Sequence, residues 1–77
     1  MAKISQNLVA ERVKEARKAA QLTQERLSQK LIKLGVSVDR AGIAKIETGV
    51  RGVLDFELVA LAKTLNVRVV WLLGIKD

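Results

Sequence analysis

A chain of 77 residues, 49% of them hydrophobic, fits one small domain with enough apolar surface for a core. It contains no cysteine and no histidine, which excludes a disulfide scaffold and thiolate zinc sites and removes the commonest metal ligand and general base. Fourteen Lys and Arg against eight Asp and Glu leave +6, the balance of a protein that meets a polyanion, while 3% aromatic content (Phe56 and Trp71) excludes a stacking platform for single strands.

Apolar spacing predicts five helices. The first runs from about Asn7 to Ala20, with Val9, Val13, Ala16 and Ala20 on one stripe and its acids ahead of Arg17 and Lys18, as the helix dipole prefers. Thr23 is an N-cap for the second, with Leu22 and Leu27 at hydrophobic-staple positions. Leu27, Leu31 and Leu34 continue the buried stripe, and Gly35 takes the left-handed position after the helix. Asp39 caps a short third helix, with Val38 and Ile43 as its staple and Gly49 as its stop. Ile43 and Ile46 face the core, which leaves Arg40, Ala41, Ala44 and Lys45 outward. Asp55 is expected to cap the fourth helix, with Leu54 and Val59 as staple, Leu58, Leu61, Ala62 and Leu65 inward, and Asn66 as its stop. The last helix, Val67 to Leu73, ends at Gly74; Val69, Leu72 and Leu73 serve the core.

The charge is uneven along this map. Residues 1–25 hold five cations and three anions, residues 26–51 six and two, and residues 52–77 three and three. The surplus peaks on two helices joined by a tight glycine turn, the second with small and basic residues on its front. That pattern is a helix-turn-helix. Its second helix is held by Ile43 and Ile46 while the front enters a DNA major groove about 12 Å wide.

Residues Arg17, Leu22-Thr23-Gln24-Glu25, Leu27 and Asp39-Arg40-Ala41-Gly42-Ile43-Ala44-Lys45-Ile46-Glu47-Thr48-Gly49 together resemble the Cro/cI (XRE) family of DNA-binding domains. Leu58, Leu61-Ala62-Lys63, Leu65-Asn66-Val67 and Trp71-Leu72-Leu73 resemble that family's fourth and fifth helices, so the likeness covers about residues 8–74. The resemblance implies an all-α, five-helix, lambda-repressor-like fold in a single domain. It further implies phosphate contacts from Thr23 and Gln24, base-facing positions at Arg40, Ala41 and Lys45, and a phosphate grip from Thr48 and the backbone of residues 49–51, Arg51 included. Arg17 and Glu47 match a largely buried ion pair between the first and third helices.

Three departures stand out. About five extra residues lie between Leu31 and Val38, which predicts a second helix one turn longer. Gly42 replaces the usual Ser or Thr, at a cost of about 1 kcal/mol in helix propensity. The loop of residues 49–53 lacks the proline and most of the basic residues often found there.

The expected function is a sequence-specific regulator bound to double-stranded DNA as a homodimer. Phe56, Val59, Val70, Trp71 and Ile75 exceed the needs of one small core, which suggests an isologous patch in the neutral third. The alternative is a helix-turn-helix used for protein contact, antitoxin-like or adaptor; its binding would be nearly indifferent to salt. An enzyme is not expected, since Glu11, Glu15, Asp55 and Glu57 are explained by helix starts and exposed faces. No cofactor, metal or small-molecule ligand is implied. No apolar run approaches the roughly 18 residues of a membrane span, and Met1 to Asn7 lack the apolar stretch of a signal peptide, so a cytoplasmic location is expected.

Overall fold

Residues 8–75 are described by a computed structural model, and their elements are α1 (Leu8–Ala19), α2 (Gln24–Lys33), α3 (Arg40–Glu47), α4 (Asp55–Leu65) and α5 (Val69–Leu72). Asn7, the predicted first helical residue, lies outside the described residues. Val13 and Ala16 are buried as the stripe of α1 requires, with Ala10 beside them and Val9 against the core. Ala20 is exposed instead, because the helix closes at Ala19 and the chain turns through Gln21 at φ 59°.

Thr23 caps α2, its Oγ1 accepting the Arg26 N–H at 3.0 Å. Leu27 and Leu31 are fully buried, but Leu34 is 52% exposed. Leu34 sits at the C-cap, where Gly35 (φ 81°) reverses the chain, so it has left the stripe. The buried place goes to Ser28, whose hydroxyl donates to the Val38 carbonyl at 2.6 Å. Past Leu31 only Ile32 and Lys33 remain helical. The inserted length therefore goes mostly into the turn, where Val36 and Val38 are buried, rather than into another full helical turn.

Asp39 caps α3 by accepting the Gly42 N–H at 2.7 Å, and Val38 and Ile43 close the staple in the core. Gly49 ends the turn after α3 at φ 79°. At α4 the expectation fails by one residue, for the N-cap is Leu54 and Asp55 is the first helical residue. Asp55 accepts the next N–H, that of Phe56, at 2.6 Å, and Glu57 reaches back to accept the Leu54 N–H at 2.9 Å. A carboxylate inside the first turn thus performs the capping that a polar N-cap would otherwise supply. Leu54 and Val59 are both about half exposed and close no staple.

Ala60, Leu61, Ala62 and Leu65 are buried, Leu58 is half-buried, and Asn66 stops α4 in the left-handed region at φ 56°. Of α5 only Leu72 is fully buried; Val69 is partly buried and Leu73 is exposed, because the helix has a single turn. Arg12 holds that turn to α1. Its Nη1 donates to the Trp71 carbonyl at 2.9 Å while its guanidinium carbon lies 4.7 Å from the centroid of the Trp71 ring. Beyond α5, Gly74 (φ 73°) lies so close to Leu8 that a Cβ there would run into Leu8 Cδ2.

Candidate nucleic-acid interface

Helix α3 is gripped from behind by Ile43 and Ile46, both essentially without exposure. Side chains one turn apart on the opposite face therefore point outward. Arg40, Ala41 and Lys45 are exposed there, and Ala44 is half-buried at the edge. Thr48, also exposed, donates its hydroxyl to the Lys45 carbonyl at 3.2 Å. Thr23 and Gln24 open α2; the Thr23 oxygen is engaged by its own helix, and its O–H is left to donate outward.

The third helix is fixed by charge as well as by packing. Arg17 Nε donates to Glu47 Oε2 at 2.6 Å, and Arg17 Nη2 to Oε1 at 3.1 Å. Gln24 Nε2 adds a bond to Oε1 at 3.1 Å, and Arg17 Nη1 reaches the Leu22 carbonyl at 2.7 Å. The Glu47 side chain is only 3% exposed, so this carboxylate at the end of a helix is viable because three donors surround it. The network joins α1, the start of α2 and the end of α3. It also fixes the orientation of the Gln24 amide, leaving Oε1 and one N–H to face outward.

The loop after α3 is arranged differently from the expectation. The N–H groups of Val50 and Arg51 both reach the Lys45 carbonyl, at 3.0 and 3.1 Å, and that of Gly49 reaches Ile46 at 3.1 Å. Backbone donors at residues 49–51 are thus satisfied within the chain and do not form a ready phosphate cradle. Arg51 is turned towards Glu57, with Nη1 to Oε1 at 2.9 Å and Nη2 to Oε2 at 2.7 Å, and Nη1 also meets the Gly52 carbonyl at 2.9 Å. Hydrogen bonding from Arg51 holds the Glu57 carboxyl below its ordinary range, opposed by burial and assisted by the Leu54 N–H. The same pair raises the Arg51 pKa. Of the five guanidinium N–H groups, Nε–H and one on Nη2 remain for an outside partner.

Glu57 serves a helix start, as the sequence suggests, but it does so as a buried residue paired with Arg51 rather than on an exposed face. A signal for it was present: a carboxylate at the third position of a helix, with one arginine in the loop just before it.

A helix-turn-helix family model matches residues 13–72, from the middle of α1 to the end of α5. The chain belongs to the Cro/cI-type helix-turn-helix family. Searches of curated proteins and of solved structures return no match. In this helix-turn-helix protein α2 and α3 are the two helices of the DNA-binding motif, and the Arg17–Glu47 lock sits at their base. Among the described residues no helix is long and apolar enough to cross a membrane, and no group of carboxylates gathers to hold a metal.

The apolar residues expected at a subunit contact do not form one uniform patch. Phe56, Val59 and Ile75 are exposed, whereas Val70 and Trp71 are partly buried. Trp71 packs against the core and is covered on one face by Arg12.

Proposed function

We propose that this helix-turn-helix protein is a sequence-specific transcriptional regulator that binds double-stranded DNA as a homodimer, with α3 in the major groove. The observation that carries the proposal is the front of α3: Arg40, Ala41 and Lys45 are exposed on a helix whose back is fully buried and whose end is pinned by Arg17. Arg40 is the base reader, its fork suited to guanine O6 and N7; Lys45 supplies charge, and Ala41 admits a thymine methyl. Thr23 and Gln24 bond phosphates on one side, Thr48 does so on the other once its hydroxyl turns from the Lys45 carbonyl, and Arg51 joins them through the two N–H groups that Glu57 and the Gly52 carbonyl leave open. Phe56, Val59 and Ile75 supply the exposed part of a self-complementary contact, with Val70 and Trp71 at its margin.

Two recognition helices related by a dyad read half-sites about 34 Å apart on a near-palindromic operator. Selection from a randomised duplex library by the purified protein tests this directly. Enrichment of a two-fold-symmetric motif is the expected result. If the folded protein enriches no sequence, its helix-turn-helix serves protein contact instead. With the motif in hand, Arg40→Ala is expected to relax preference at one base pair of each half-site, by about 1–3 kcal/mol of discrimination. Uniform weakening across all sequences would make Arg40 a phosphate contact.

A further inference from the structure

Not all of the positive charge lies on the face of α3. Lys30 and Lys33 at the end of α2 and Lys63 at the end of α4 converge on a groove of about 370 Å³, whose remaining walls are Leu34 and Thr64. Neutralising the carbonyl ends of two helices accounts for a lysine in each last turn. It does not account for the gathering of all three around an apolar side chain. No lysine of the three makes an ion pair with any described residue, and no acidic residue lines the groove. Leu34 is half exposed among them, a large apolar residue that the core does not use. Thr64 contributes a second irregularity, since its Oγ1 is buried and has no hydrogen-bond partner.

We propose that this groove is a docking site for an acidic segment of another protein, one that places carboxylates against Lys30, Lys33 and Lys63 and an apolar side chain on Leu34. Charge complementarity sets the sign of the partner. The floor sets its class, because Leu34 and the aliphatic stems of the lysines offer apolar contact that a phosphate backbone cannot use. Lysines, as single point charges on flexible stems, suit carboxylates spaced along a peptide. Leu34 and Lys33 belong to the stretch between Leu31 and Val38 in which the chain departs from its family's spacing, so the groove is built partly from residues that the DNA-binding motif does not require.

The test is titration of the nitrogen-labelled full chain with a capped synthetic peptide of alternating glutamate and leucine, followed by amide chemical shifts. Shifts confined to Lys30–Leu34 and to Lys63 and Thr64 are the expected result, with Lys30→Gln, Lys33→Gln and Lys63→Gln together weakening peptide affinity about tenfold or more, or about 1.4 kcal/mol. Shifts centred on Arg40 to Lys45 would overturn the proposal, since the peptide would then be a mere competitor for the DNA face. So would an arbitrary DNA duplex that shifts the groove amides as the peptide does, because the groove would then belong to nucleic acid. An unperturbed spectrum at a large excess of peptide overturns it as well. None of these outcomes depends on whether α3 reads an operator.

Discussion

Glu47 shows how one residue can serve both stability and the placement of a neighbour. Its carboxylate receives Arg17 from α1 and Gln24 from α2, so the same buried charge that anchors α3 orients the amide proposed to meet a phosphate. Arg17→Ala would leave that carboxylate buried with Gln24 as its one remaining donor. A loss of about 3–5 kcal/mol in unfolding free energy is expected, read from urea denaturation. Gly42 makes the opposite point about legibility. By propensity alone Gly42→Ala should stabilise an exposed helix by about 1 kcal/mol. A Cβ there would stand 2.9 Å from Val38 Cγ1 and 3.1 Å from Asp39 Oδ1. Val38 is buried in the staple and has little room to move, and overpacking costs about 1–3 kcal/mol. The expected outcome is a lower melting temperature for Gly42→Ala. Nothing in the sequence marks this, because the clash depends on where the preceding turn places Val38.

At the scale of elements, the sequence reading succeeded where a helix end is written in one residue. Thr23, Asp39, Gly35, Gly49 and Asn66 each stand where cap chemistry or a left-handed turn requires them. It missed the start of α4 because no side chain caps from the N-cap position: Asp55 and Glu57, both inside the helix, accept the N–H groups of Phe56 and Leu54. The carboxyl of Glu57 is held below its ordinary range by Arg51, so the stabilisation is present above the unfolded carboxylate range and is lost as pH falls through the lowered value. Comparing the intact protein with Glu57→Gln should therefore show a stability gap near neutral pH that closes as the Glu57 carboxylate is protonated in acid. Denaturant midpoints at several pH values check this; a gap independent of pH would mean that Glu57 contributes only through its shape. The misplacement of Leu34 has a similar origin. Helical spacing puts it on the buried stripe, but Gly35 reverses the chain one residue too early for the stripe to continue.

For the whole molecule, five helices and the inward-facing Leu27, Leu31, Ile43, Ile46 and Leu61 were legible because periodicity and caps agreed along nearly the whole chain. The candidate interface was less so. The exposure of Arg40, Ala41 and Lys45 follows from the back of α3 being apolar, whereas the pairing of Arg51 with Glu57 depends on loop geometry. In the proposed dimer about 6–8 neutralised phosphates would give a log–log slope of affinity against salt near −5 to −7. Titrating operator affinity over a range of potassium chloride measures it, and a slope near zero would replace the DNA reading with a protein-contact one.

The meeting of Gly74 with Leu8 bears on chain order. The residue that closes α5 touches the residue that opens α1, so the described fold is nearly a ring of helices. A short linker could join those two points, and an opening at the exposed turn around Asn66 would place α5 ahead of α1. The segment from Arg17 to Glu57, which holds both ion pairs and the front of α3, would pass through that rearrangement uncut. The surface proposed to face DNA is thus separable from the order in which its supporting helices are synthesised.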